Sequence, residues 1–203
     1  RDATAEWGLE KYAGWWNGVT AGDLDGDGRM DLIAANWGLN TKYRANPEHP
    51  RKLYYGEFHE PGTWDTIEAY WDERSGKEVP EREFDAVAAA MPFLRGVFPT
   101  YRAYGAASLT EVLGERRKQA REVSANTLAS MAFLNRSNRF SATALPTEAQ
   151  LAPAFAAVVN DFDGDGTEDL FLSQNFFATE MQTSRSDAGR GLWLKGDGQG
   201  GML

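Results

Sequence analysis

Two stretches decide how this chain is read: "DLDGDGRMDL" at Asp23–Leu32 and "DFDGDGTEDL" at Asp161–Leu170. Each places Asp at positions 1, 3, 5 and 9 and Gly at position 6. Ca²⁺ is a hard cation that takes six to eight oxygen ligands at about 2.3–2.6 Å. A tight turn can bring side chains 1, 3 and 5 onto one ion, and Gly at 6 permits the bend because it has no Cβ to clash at positive φ. The backbone carbonyl at position 7 (Arg29, Thr167) is expected to point inward, with the Asp at 9 closing the shell. A bare Asp/Gly-rich surface turn would explain one such stretch more readily than two nearly identical ones.

The charge balance supports the same reading. The chain carries 30 acidic and 21 basic residues, a formal net charge of -9. Set the eight loop aspartates aside and acids and bases nearly balance. Carboxylates packed this closely repel one another unless a cation neutralises them. An acidic chain without a basic stripe also argues against nucleic acid as a partner.

The flanks separate these loops from the EF-hand, which needs a bidentate Glu at position 12 and a helix on each side. Position 12 is Ala34 in one copy and Leu172 in the other. "GVTAG" and "LIAAN" bracket the first loop, and "FAAVVN" and "LFLSQN" the second. These short runs, rich in apolar and β-branched residues and bounded by Gly and Asn, read as strands. A third, degenerate copy lies in "YYGEFHEPGTWDTIEAY". Glu57, His59 and Pro61 take positions 1, 3 and 5, with Gly62 and Asp65 at 6 and 9. Pro offers no side-chain ligand and His suits hard Ca²⁺ poorly, so the turn is expected without its metal.

The starts at Asp23, Glu57 and Asp161 lie 34 and 104 residues apart. The first spacing fits a repeat unit of propeller-blade or solenoid size. The excess in the second falls where the pattern turns helical, at "REFDAVAAAMPFLRGVF" and "SLTEVLGERRKQAREV". Ser108 and Glu111 make a capping box, and Pro92 and Pro99 break the first helix. The expected organisation is one segment over 1–203 with a helical insertion at 81–121, followed by strand, turn and strand in "SMAFLNRSNRFSATALP". At about 45 residues per blade, too little chain remains to close a ring of four. The expectation is a partial propeller, excised from something longer or completed by self-association through edge strands.

"WWNGVTAGDLDGDGRMDLIAANWGL" and "FAAVVNDFDGDGTEDLFLSQN" resemble the FG-GAP repeats of integrin-type β-propellers and their bacterial secreted or surface relatives, the VCBS repeats. The resemblance covers about 60 residues strongly and implies a mainly β fold of propeller-type blades, with Ca²⁺ at the rim of each intact loop. It implies one site from Asp23, Asp25, Asp27, Asp31 and the Arg29 carbonyl. The other comes from Asp161, Asp163, Asp165, Asp169 and the Thr167 carbonyl, two ions in all.

No cysteine is present, which excludes a disulfide scaffold and thiolate chemistry. No apolar run reaches the 18 or so residues of a membrane span. The chain opens at Arg1 without a secretory signal, consistent with a processed or excised piece. Weak calcium loops work where calcium is abundant, so an extracellular or cell-surface location is expected. Of the two histidines, His49 lies in a Pro-flanked loop and His59 in the degenerate turn, so neither marks a catalytic set. "ERRKQAR" at Glu115–Arg121 reads as a solvated helix face. Trp15, Trp16 and Trp37 near the first loop, and Trp64 and Trp71 near the degenerate one, fit inter-blade packing better than sugar stacking. The functional expectation is a calcium-stabilised, non-catalytic module that binds or adheres to a glycan or protein. The alternative is part of a secreted polysaccharide-degrading enzyme, which would need a Lys, Arg or Tyr base beside the metal.

Overall fold

A computed structural model describes residues 1–179 and 183–203. In chain order the strands and helices begin with β1 (Gly18–Gly22), β2 (Asp31–Ala35), β3 (Arg51–Gly56), β4 (Asp65–Asp72) and β5 (Lys77–Pro80). Four short helices follow, α1 (Phe84–Ala90), α2 (Leu94–Val97), α3 (Tyr101–Ala106) and α4 (Leu109–Leu113). The chain then returns to strand with β6 (Arg121–Ala125), β7 (Met131–Asn135), β8 (Phe140–Ala144), β9 (Ala154–Asn160), β10 (Asp169–Gln174) and β11 (Leu192–Leu194). With 32% strand against 16% helix, the fold is mainly β, and its antiparallel sheets are all open.

The backbone divides into two compact units. The first joins residues 1–44 to 127–203, and the second is the continuous stretch 45–126 set between β2 and β7. The helices fall within 84–113, but their unit begins well upstream of them.

In the first unit β1-β2-β7-β8 form one sheet and β11-β10-β9 another. Strand alternation sorts the residues of β2. Asp31, Ile33 and Ala35 are buried, while Leu32 and Ala34 face the other way and are half-buried. Ile33, Ala35, Ala132 and Leu134 of the first sheet meet Leu170, Leu172 and Leu194 of the second in one core, joined by Leu24 from the first loop. Fully burying each Leu or Ile stabilises by about 1.5–3 kcal/mol relative to leaving it exposed. Glycine lets the sheets approach. A Cβ on Gly18 would stand 2.8 Å from the Phe155 carbonyl oxygen of β9. The N-terminal segment lies against the far side of the first sheet, with Tyr12 and Trp16 edge-on to Phe133. Trp15 meets Trp37 and Tyr43 edge-on, so two of the tryptophans beside the first loop pack together.

In the second unit the sheet runs β5-β4-β3-β6. Its first and last strands are partners, Arg51 opposite Ala125, so the two chain ends of this unit leave side by side. Helices α1–α4 supply Phe84, Val87, Leu94, Tyr104, Leu109 and Leu113 to a core with Tyr54 and Ile67. Helix α1 ends at Ala90, two residues before Pro92, which cannot continue a helix. Ser108 caps α4 in a full capping box with Glu111. The basic run differs from its reading as a solvated face. Arg116 lies over the Phe93 ring at 3.8 Å and Arg117 over Tyr54 at 4.2 Å. Planar guanidinium groups stack on aromatic faces, and the sequence gives no local sign of those partners.

Candidate metal centre

The first loop is organised by its own aspartates. Asp23 accepts from the backbone N–H groups of Asp27 (3.0 Å) and Gly28 (2.9 Å), and Asp27 accepts from Arg29 N–H at 2.9 Å. Gly26 and Gly28 sit at φ 68° and 82°, the left-handed region where a side chain is strained. Asp31 opens β2 fully buried, accepting from Leu24 N–H (3.0 Å) and Asn135 N–H (2.7 Å).

The second loop repeats the plan. Asp161 accepts from Gly164 (2.7 Å), Asp165 (3.1 Å) and Gly166 (2.9 Å). Asp165 accepts from Thr167 N–H at 2.8 Å. Asp169, also fully buried, accepts from Phe162 N–H (3.1 Å) and Gly196 N–H (2.9 Å).

Each loop brings three carboxylates together. Asp23, Asp25 and Asp31 each offer an oxygen within 4.8 Å of the others, and so do Asp161, Asp163 and Asp169. Asp27 and Asp165 stand outside these trios. Asp27 pairs with Arg29 and lies 3.6 Å from Arg136, while Asp165 lies 2.7 Å from Lys195. Arg29 and Thr167 hold the turn through their N–H groups.

The surrounding charges come from outside the loops. Arg136, in the β7–β8 turn, reaches Asp25 at 2.5 Å, and Lys195, after β11, pairs with Asp163. The Arg136 hydrogen bond holds the Asp25 carboxyl below its ordinary value, and the Lys195 hydrogen bond does the same for Asp165. Burial pushes Asp31 up, reinforced by Asp25 and Asp27, while the Gly196 N–H holds Asp169 down. The loop sequences do not reveal Arg136, Lys195 or Asn135. They lie 111, 32 and 104 residues from the aspartates they contact.

The first trio fits a divalent oxygen-seeking cation. The Asp25 side chain is 10% exposed, and its Oδ1 is buried without a hydrogen-bond partner. A buried carboxylate oxygen left bare is costly in this way, and a cation beside it removes the cost. Ca²⁺ at either trio would supply positive charge and draw the strands flanking the loop together.

In the degenerate copy, Asp65 still ties the turn, accepting from Phe58 and His59 N–H groups at 3.0 Å each. His59 Nδ1 lies 3.9 Å from Asp65, and Nε2 lies 3.3 Å from Glu60. Among the described residues only the two intact loops gather three such ligands. His49 stacks on Trp71 at 5.0 Å. Burial pushes the Tyr54 hydroxyl up to about 12, away from what a catalytic base needs.

No family model, curated protein or solved structure matches this chain. Among the described residues no helix is long and apolar enough to cross a membrane.

Proposed function

We propose that this chain is a calcium-stabilised, non-catalytic binding or adhesion module that recognises a glycan or protein outside the cytosol. In this reading its sheets are blades of an FG-GAP/VCBS-type propeller, and each intact loop holds one Ca²⁺. Asp23, Asp25 and Asp31 would hold the first ion and Asp161, Asp163 and Asp169 the second, with Asp27, Asp165 and the Arg29 and Thr167 carbonyls completing the shells. The observation that supports it most is the bare Asp25 Oδ1 inside a carboxylate trio whose turn is built twice. The ion has a structural role here: it offsets repulsion between fixed carboxylates and stabilises the native state through mass action.

Calorimetric titration of the chelated protein tests this. Two calcium equivalents should bind, Mg²⁺ should bind more weakly because it resists irregular multi-carboxylate shells, and calcium should raise the melting temperature. No binding heat together with an unchanged melting temperature overturns the reading. A glycan and protein array probed with and without chelator then addresses the ligand.

A further inference from the structure

The three copies of the turn differ in one respect that loop chemistry does not explain. At positions 2 and 11 the first copy has Leu24 and Ile33, 2% and 0% exposed, and the degenerate copy has Phe58 and Ile67, both 2% exposed. The third copy has Phe162 and Phe171, 47% and 42% exposed. The first pair is covered by the β9–β11 sheet and the second packs in a core with the helices. Among the described residues the third copy has no such cover. Phe171 sits opposite Val158 on one side and Trp193 on the other, on the outer face of its sheet. Val158 is 49% and Trp193 48% exposed, so the row continues across all three strands. Exposed contiguous apolar faces of this kind mark interaction surfaces.

The chain itself indicates what fits such a face. The β9–β11 sheet covers Ile33 with Leu170 and Leu172, at positions 10 and 12 of its repeat. The residues at positions 10 and 12 of the first copy are Leu32 and Ala34. They lie on the outer face of the first sheet, beneath a hollow of about 570 Å³ shared with Val19, Phe133, Tyr12 and Trp16. Val19 at its edge is 68% exposed. Among the described residues one face therefore lacks a cover, and the repeat-equivalent of the covering face is only partly roofed, by the N-terminal segment, elsewhere in the same unit.

We propose that these two faces meet between copies of this chain. The Phe171/Trp193/Val158 face of one molecule seats in the Leu32/Ala34/Val19 hollow of the next, repeating between molecules the sheet-on-sheet contact found inside the first unit. The contact is heterologous, two different patches meeting head to tail, so it propagates unless the rotation closes a ring. It uses sheet faces, not strand edges, and is independent of what the loops bind.

Analytical ultracentrifugation of the full chain, from micromolar to near-millimolar in calcium-containing buffer, tests this. The wild type should associate with rising concentration. Phe171→Glu and Val19→Glu should each weaken association about tenfold or more, with circular dichroism and melting temperature marking retained folding. Trp193→Glu repeats the first arm should Phe171→Glu fail to fold. An equimolar mixture of Phe171→Glu and Val19→Glu should yield a dimer and stop there, since each variant keeps one intact face. A wild type that stays monomeric throughout overturns the proposal. So does association that survives Val19→Glu, which would mean the aromatic face pairs with itself or the contact is an edge. A monomer whose Trp193 fluorescence is quenched by a soluble β-glucan oligosaccharide also overturns it, in favour of a sugar surface.

Discussion

Asp31 and Asp169 occupy the same place in two copies of one loop, yet their carboxyls are displaced in opposite directions. Burial dominates at Asp31 and raises it, while the Gly196 N–H dominates at Asp169 and lowers it. A carboxyl held above its ordinary value takes up a proton at higher pH, and a protonated carboxyl cannot ligate. Calcium titrations at stepwise lower pH, from about 7 toward about 4, should therefore show the first loop losing its ion before the second. Simultaneous loss would mean that Asp31 does not control the first site. Truncation separates scaffold from ligand within one trio. Asp31→Ala strips the acceptor from Leu24 and Asn135 N–H groups and should cost the chelated protein about 2–4 kcal/mol in urea unfolding. Asp25→Ala removes the ion pair with Arg136 but also a buried carboxylate oxygen that has no partner, two effects of opposite sign. It should leave the chelated stability nearly unchanged while abolishing one calcium equivalent. That Asp23, Asp25 and Asp31 come together, and likewise Asp161, Asp163 and Asp169, was legible from spacing alone, whereas Arg136 and Lys195 were not. Nothing near either residue in sequence signals an aspartate dozens of residues away.

Strands β1 and β9 depend on how closely one sheet can lie on another. Gly18→Ala would push a methyl group to 2.8 Å from the Phe155 carbonyl, a backbone atom with little room to yield. The substitution should destabilise by about 1–3 kcal/mol. Gly105 in α3 meets nothing within 4 Å and lies outside the positive-φ region. Gly105→Ala should stabilise by about 0.4–1 kcal/mol, chiefly by narrowing the unfolded ensemble. Chemical denaturation reads both, and equal effects would contradict the packing. The strands around the two loops were legible because apolar, β-branched runs end sharply in Asp-Gly turns. The helices announced themselves through Pro92 and the Ser108–Glu111 box. Pairing was not legible. Strand β6 belongs with β3, and a strand's own residues do not say which distant strand will take its hydrogen bonds. The unit containing the helices therefore starts at 45, where composition gives no warning.

Two units with separate cores need not melt together. Both carboxylate trios lie in the first unit, and the second holds the degenerate turn. Scanning calorimetry should show two transitions. Chelation should lower only the one assigned to residues 1–44 and 127–203, and a single transition shifting as a whole would contradict this assignment. An isolated 45–126 fragment should melt cooperatively at a temperature indifferent to calcium. Its core of Tyr54, Ile67 and the four helices is complete within it.

Because Arg51 and Ala125 are partners in the second unit, its emergence in folding has a kinetic consequence for the first. Strands β2 and β7 must pair across the whole intervening chain. Each doubling of a flexible loop adds only about 0.6 kcal/mol to closure, so a folded 45–126 that clamps its own ends shortens the search by nearly three such steps, about 1.7 kcal/mol. A nascent chain would complete the inner unit while β1 and β2 wait, unpaired on one side, for β7 to be synthesised. Substitutions that delay the inner unit would then slow the outer one at a distance, without touching any residue of its core.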